Sequence, residues 1–403
     1  MMTGLAGQTH TLKGMILDRK HSPVRSMNRS KPPSSSLLSH FETLEDPRTS
    51  YLVEHTLLDI VALTICAVIC GAETWEGIES YGHSKVDWLK TFLQLPNGIP
   101  SHDTIARVFS LLEPTQLQTC FISWVKSIAK LSLGEVIAID GKSARNSYDT
   151  DNGKGMIHMV SAWASANHLV LGEVKVSDKS NEITAIPKLL KLLDVEGCIV
   201  TIDAMGTQRD IAEQIIDQQA DYVLSLKGNQ GDIHEDVQQL FDWAHKTQFK
   251  NIDHEAYQTI DKGHGRLEIR RYWLMGAVEH LENAHQWKGL KRIGMVQSER
   301  RISGQTTQRE QRYYLVSLDG GVERFAHATR GHWGIENQLH WSLDVVFHED
   351  DSRIRKGHAP ENMTAIRKIA LNLLAKESSK GSKKTKRLKA GWDNDFLIRV
   401  LRA

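Results

Sequence analysis

The stretch EVIAIDGKS, residues 135–143, drives an apolar run from Val136 to Ile139 straight into Asp140 and Gly141. CIVTIDAMG, residues 198–206, repeats the design and ends its apolar run on Asp203. Short continuous apolar runs read as strands buried on both faces. A carboxylate at the end of such a strand stands where the backbone leaves the core. Asp also favours turns, so one such acid needs no further cause. Two in one sheet limit what the chain can fold into.

The flanking residues supply the rest of that sheet. IHMVSAWA and HLVLGEVKV read as strands joined by a short SAN turn, which suits an antiparallel hairpin. EITAIPKLLKLLD reads as a helix in which Pro187 marks a first turn or a kink. CIVTID is a fourth strand, RDIAEQIIDQQ a second helix and DYVLSLKG a fifth strand. The order β-β-β-α-β-α-β predicts an α/β fold with a mixed sheet. It is the strand order of the ribonuclease H-like fold, in which the first and fourth strands are neighbours. Asp140 and Asp203 would then meet at adjacent strand ends.

A chain of 403 residues exceeds one ordinary core, so several domains are expected. Residues 1–37 are basic and rich in Ser and Pro, which predicts a disordered arm. Residues 38–131 read as a small all-α domain. The α/β core follows in two parts, 132–231 and 326–375, around a β-rich insertion at 232–325 with period-2 stretches such as RLEIRRYWLM and REQRYYLVSL. Residues 376–403 read as a basic tail. The two basic blocks, Lys13 to Lys31 and Lys376 to Lys389, stand out in a chain of net charge +1, and such arms either hold polyanions or keep a protein soluble.

In the front domain, SHDTIARVFSLL starts a helix with Ser101 as N-cap and Ile105, Val108, Phe109 and Leu112 on one face. His102, Asp103 and Arg107 are left outward. A helix-turn-helix reader of DNA and a plain helical bundle both fit that pattern. The apolar run Ile60–Ala72 is too short to span a bilayer. Cys66 and Cys70 fall on one face of it as core filler, no Cys/His cluster suggests zinc, and a reducing, cytoplasmic setting is expected.

Adjacent strand-end carboxylates repel unless a cation lies between them. Oxygen ligands favour Mg²⁺, with Mn²⁺ as substitute, and a pair of such ions suits phosphoryl transfer. A third carboxylate is then needed. His332, Glu336, His340 and Asp344 recur every four residues along one helical stripe. Glu349, Asp350 and Asp351 follow as rivals.

These residues resemble a known family. Asp140-Gly141-Lys142, DAMGTQRDIA from Asp203, KGNQ at 227–230, GHGRLEIR at 263–270 and HWGIENQLHWSLDVVFHEDD at 332–351 are similar to the H-repeat-associated transposases, bacterial insertion-sequence enzymes of the DDE type. HFETLEDPR and the helix after it resemble their DDE-associated domain. The resemblance implies a ribonuclease H-like core with Asp140, Asp203 and Glu336 as a catalytic, metal-holding triad for Mg²⁺, taken as two ions. It implies double-stranded DNA as partner (element terminal inverted repeats and target), strand cleavage and strand transfer at element ends, a homo-oligomer in the active complex, and a nucleoid-associated bacterial enzyme. Related enzymes often carry Y-(2)-R-(3)-E-(6)-K on the third-acid helix. Here those places hold Thr329, His332, Glu336 and Leu343, and only Glu336 fits. Arg330 is the nearest cation. Lys142, Lys227, His264, Arg266, Arg330, His332 and His340 are the candidates for DNA contacts. Trp333 and Trp341 flank Glu336, as core packing or as a platform for a base. The alternatives are an inactive transposase-derived DNA-binding protein and a metal-dependent nuclease on the same fold.

Overall fold

The structure is a computed structural model and describes residues 37–148, 155–177, 180–263, 265–302 and 307–403. The front segment is helical: α1 (Leu57–Ile69), α2 (Trp75–Ser84), α3 (Val86–Leu89), α4 (His102–Leu111) and α5 (Pro114–Ile128). The Thr56 hydroxyl accepts from the Asp59 backbone N–H and starts α1, which is buried along nearly all its length. Ser101 caps α4 as expected, and Ile105, Val108 and Phe109 are buried while Asp103 and Arg107 are exposed.

The sheet begins with β1 (Val136–Ser143), β2 (His158–Ala164) and β3 (Leu169–Lys175), and continues through α6 (Glu182–Leu192), β4 (Ile199–Ile202), α7 (Arg209–Asp217) and β5 (Asp221–Leu226). After α8 (Asp232–Lys246) come β6 (His254–Gly263), β7 (Arg266–Met275), β8 (Arg292–Ile302) and β9 (Gln308–Val316). The nine strands form one sheet in the order β3-β2-β1-β4-β5-β9-β8-β7-β6. The pairs β1–β4 and β4–β5 are parallel, and the others are antiparallel. The β-rich stretch expected as an insertion thus extends the same sheet, because β9 pairs with β5.

Helix α9 (Val322–Gly334) crosses the sheet and packs Phe325, Ala326 and Ala328 against β-strand residues Val136, Val223, Tyr272 and Tyr314. A π-helical turn, Ile335–His340, and a short α10 (Trp341–Val345) continue it. Helix α11 (Ala359–Lys376) is buried almost throughout and touches α1, α4, α5 and β3. The front helices therefore share one core with the sheet, running from Leu37 to Leu401.

The basic C-terminal segment is not a solvated tail. It forms α12 (Lys383–Trp392) and α13 (Asn394–Leu401), with Phe396, Leu397 and Val400 fully buried and with Lys386 and Arg387 buried as well. The apolar spacing of Phe396, Leu397 and Val400 is helical, and the neighbouring run of Lys and Arg hid it. The N-terminal arm, residues 1–36, and His264 lie outside the described residues. All four cysteines are free. Among the described residues no helix is long and apolar enough to cross a membrane.

Candidate active site

Ile139 of β1 and Ile202 of β4 are the last register partners of the parallel pair, so the next residues, Asp140 and Asp203, stand side by side where these two central strands part. β1 itself runs on to Ser143 along β2, so Asp140 is not at its end as expected. The Asp203 carboxylate folds its own turn: Oδ1 accepts from the backbone N–H of Met205 at 3.0 Å and of Gly206 at 3.1 Å. The Thr207 hydroxyl donates within the same turn to the Asp203 carbonyl, 3.0 Å, and reaches the Ser225 carbonyl of β5, 2.7 Å. From the next loop, Asn229 Nδ2 (2.8 Å) and Gln230 Nε2 both donate to the Ala204 carbonyl. The KGNQ motif is thus a brace for the Asp203 turn.

Gly141 serves a different purpose. A Cβ there would collide with Glu182 Oε1 and His158 Nε2. Its absence lets Glu182, first residue of α6, sit over β1 beside Asp140. His158 holds that carboxylate, Nε2 to Oε1 at 2.7 Å, and shares its other nitrogen with Ser143 Oγ at 2.7 Å.

Glu336 arrives on the helix that follows β9. The Ser165 hydroxyl donates to the Gly331 carbonyl at 2.9 Å, and a Cβ on Gly331 would lie 3.0 Å from Val136 Cγ1, so α9 lies close on β1. The stripe expected from the sequence faces the same part of the sheet. His332 Nδ1 is 3.0 Å from Thr201 Oγ1, His340 Nδ1 is 3.7 Å from Asp140 Oδ2, and Asp344 Oδ1 is 2.7 Å from Lys142 Nζ. Glu336 itself sits in the π turn, its carbonyl accepting from the Trp341 N–H. Such turns add one residue to a helical turn and gather at functional sites.

Asp140, Asp203 and Glu336 line one cavity of about 150 Å³, together with Lys227, Arg312 and His332. Burial pushes the Asp140 carboxyl up to about 7; the Gly141 N–H opposes this, and the carboxylates of Asp203, Glu182 and Glu336 add to the rise. Burial pushes His332 down to about 4 and His340 down to about 3, the latter helped by the charges of Lys368 and Lys142. At neutral pH the His340–Asp140 contact is therefore not an ion pair. The three acids offer oxygen donors at one cavity, the chemistry that suits a hard divalent ion. As placed, no three Asp, Glu, His or Cys side chains among the described residues converge closely enough to hold an ion. The donor set, three carboxylates at one cavity, fits the group in kind, and Glu336 is its exposed member.

Two of the rival acids, Glu349 and Asp350, are engaged elsewhere, and Asp351 is exposed outside the cavity. Lys142 Nζ lies 3.1 Å from Asp350 and 3.4 Å from Glu349, and Arg367 Nη1 lies 3.7 Å from the other Glu349 oxygen. Glu349 is buried by these contacts, and Arg145 also holds Asp350. Lys142 is for the same reason not a free phosphate contact: only 12% of its side chain is exposed and three acids share its charge. Lys227 is exposed at the cavity rim, and Arg266 and Arg330 line a neighbouring groove of about 740 Å³. Trp333 and Trp341 are not core residues: Trp341 is 55% exposed, and Trp333 lines both cavities with the Arg312 guanidinium 4.5 Å from its ring centre.

Two residues here escaped sequence reasoning. Glu182 had a signal in Gly141, whose missing side chain marks a close approach. Arg312 had one in the period-2 alternation of β9, which sends it to the same face as Tyr314.

Two families match the chain. The transposase DDE domain covers residues 131–373, and the DDE_Tnp_1-associated domain covers residues 38–125. The chain belongs to the DDE transposase family. Among its relatives, the "H repeat-associated putative transposase YhhI" of Escherichia coli (strain K12) is 44% identical over 370 residues, which span 91% of this chain and 97% of that protein. The "Putative transposase YncI" of Escherichia coli O157:H7 is also 44% identical over 370 residues, 91% of this chain and 94% of that one. A piggyBac transposase synaptic complex with hairpin DNA aligns with a TM-score of 0.40 at 12% identity, over 92% of this chain and 80% of that chain, a likeness too low to argue from.

Proposed function

We propose that this transposase cuts DNA at the ends of an insertion sequence and joins the freed 3′ end to target DNA, on a ribonuclease H-like core. Asp140, Asp203 and Glu336 would hold divalent metal, Mg²⁺ or Mn²⁺. The observation that carries this reading is the shared cavity: acids from three distant segments line it, and burial pushes Asp140 to about 7 with their charges adding to the rise. A bound pair of divalent ions supplies an activated attacking oxygen and charge at the leaving oxygen.

The chain's own residues do the rest. The Asp203 turn and the parallel strands fix two carboxylates rigidly, as a metal site needs. His332 and His340, neutral at pH 7, fill the space behind them without adding a competing positive charge. The adjoining groove presents Arg266, Arg270, Arg300, Arg309, Arg312 and Arg330 against Glu268, Glu299 and Glu310. That excess of guanidinium suits the DNA backbone, which is held by charge and positioned by bidentate donors. Lys227 lies at the cavity rim beside it.

The test is a gel shift and a cleavage assay on one DNA carrying authentic element ends, with Mg²⁺, Mn²⁺ or EDTA. The wild type should bind in all three and cut only with metal. Asp140→Asn should bind and not cut. A wild type that binds and never cuts would be a transposase-derived DNA-binding protein instead.

A further inference from the structure

We propose that helix α12 is a clasp that holds the Glu336 segment in place from behind, with Arg387 as its pin and Lys383 as its second contact. This rests on the role of Glu336 proposed for the site. Arg387 is a positioning residue here; it touches no reacting group.

The basic run from Lys383 to Lys389 has the composition of a polyanion-binding tail. Its central residues do something else. Arg387 is buried, and its Nη1 donates to the carbonyl of Val346, the C-cap residue that follows α10. Its Nη2 donates at 3.0 Å to the Val68 carbonyl, in the last turn of α1. The guanidinium carbon lies 4.4 Å over the ring of Phe347, and Glu73 Oε1 is 3.7 Å away. One guanidinium thus ties two helix C-termini together. Last-turn carbonyls lack i+4 helical partners and their dipoles favour a cation; Val68 accepts from the Gly71 N–H besides Arg387. A buried charge is costly unless it is hydrogen-bonded in this way.

The second contact reaches further up the same segment. Lys383 Nζ donates to Ser342 Oγ at 3.3 Å, and the Ser342 hydroxyl donates to the Gln338 carbonyl. Gln338 belongs to the π turn that carries Glu336. Such single-turn bulges are rare and mark places where a helix departs from its regular path. Here α12 holds α10 at both ends, through Ser342, whose hydroxyl bonds back to the π turn, and through Val346. The match to the transposase DDE domain stops at residue 373, before α12 begins. The clasp is therefore an addition to the matched domain that bears on its third acid.

Four variants test this: Arg387→Met, which keeps length and removes charge; Arg387→Lys, which restores charge and fewer donors; Lys383→Met; and Leu397→Ala, which loosens α13 without touching the clasp. Amide hydrogen exchange is read over residues 336–346 without DNA or metal. Cleavage is read as the Mn²⁺ concentration for half-maximal rate and the rate at saturating Mn²⁺. In Arg387→Met, exchange over 336–346 should rise about tenfold, from loss of the charge-assisted hydrogen bond to Val346, with β1 and β4 unchanged. Half-saturating Mn²⁺ should rise by about fivefold or more as Glu336 loses its position, while the saturated rate and DNA affinity hold. Arg387→Lys should lie between. If Arg387→Met does not fold, Lys383→Met should give the same exchange increase confined to the π turn. Unchanged exchange over 336–346 in the clasp variants overturns the proposal, as does an equal Mn²⁺ shift in Leu397→Ala. A wild type that never cuts would refute the role of Glu336, while the exchange data would still decide whether α12 holds its helix.

Discussion

Lys142 Nζ lies 2.7 Å from Asp344 Oδ1, and this contact joins the strand that presents Asp140 to the helix that presents Glu336. Burial weakens the lysine's hold on its proton, but Glu349, Asp344 and Asp350 outweigh it and keep the group above its ordinary range. Lys142→Met would leave Asp344 without its cation, and would leave Glu349 and Asp350 only Arg367 and Arg145. The network is only partly buried, so breaking it from one side costs less than the loss of a fully buried pair, about 1–3 kcal/mol. The urea midpoint should fall accordingly, and the salt dependence of DNA binding should not change, since this lysine reaches no phosphate.

The groove arginines should behave in the opposite way. Arg266 and Arg330 have exposed side chains on the walls of the 740 Å³ groove. Arg266→Ala and Arg330→Ala should each flatten the slope of log K against log salt by about 0.9 for every duplex phosphate no longer neutralised. Stability should stay within about 0.5 kcal/mol of wild type, as for most surface changes. Titrating duplex DNA at several salt concentrations reads the slope directly.

Asp140 gives the fold a pH signature in EDTA. Its carboxyl titrates near 3.9 in an unfolded chain and is pushed to about 7 by burial and by its acidic neighbours. A carboxyl raised in the folded state contributes its full stability below about 4, and that contribution is lost as pH rises to about 7. Stability in EDTA should therefore fall across this window, by a few kcal/mol at most. Asp140→Asn should remove that part of the slope. Glu361 is also pushed to about 7, chiefly by burial, and titrates alike in both proteins, so the difference between them isolates Asp140. Denaturation curves from pH 4 to 8 measure it.

Removing residues 376–403 should cost stability first. Phe396, Leu397 and Val400 are fully buried, and each is worth about 2 kcal/mol on burial. A deletion that leaves the unfolding midpoint unchanged would contradict the packing of α12 and α13 against the core.

Much of the core was legible because its signals are local. The apolar runs ending on Asp140 and Asp203 and the αβ alternation between them gave the order of five strands, and the four-residue stripe gave the face on which Glu336 sits. What escaped depends on contacts between distant segments. The pairing of β9 with β5 turned an expected insertion into a continuation of the sheet. No spacing rule shows that Asn229 and Gln230 would brace Ala204, or that Lys142 would be taken by Asp344 and its neighbours. Arg387 misled for a further reason: charge density in a Lys-rich run looks the same whether its members face solvent or carbonyls at a helix end. The π turn carries no sequence mark at all, since its register is set by what packs on either side of it.

Whether Asp140, Asp203 and Glu336 act as one metal-holding set is tested most directly by Mn²⁺ binding to the DNA-free protein. Electron paramagnetic resonance reads it for wild type, Glu336→Gln and Asp351→Asn, with cleavage of element-end DNA followed in parallel. Asp351 is the control, because its side chain is 81% exposed and lies outside the cavity. Asp351→Asn should bind Mn²⁺ and cut as wild type does. Glu336→Gln should bind the ion at least about tenfold more weakly, as loss of a charged ligand requires, and should cut no DNA. Wild-type Mn²⁺ binding and full cleavage in Glu336→Gln would contradict a shared metal site.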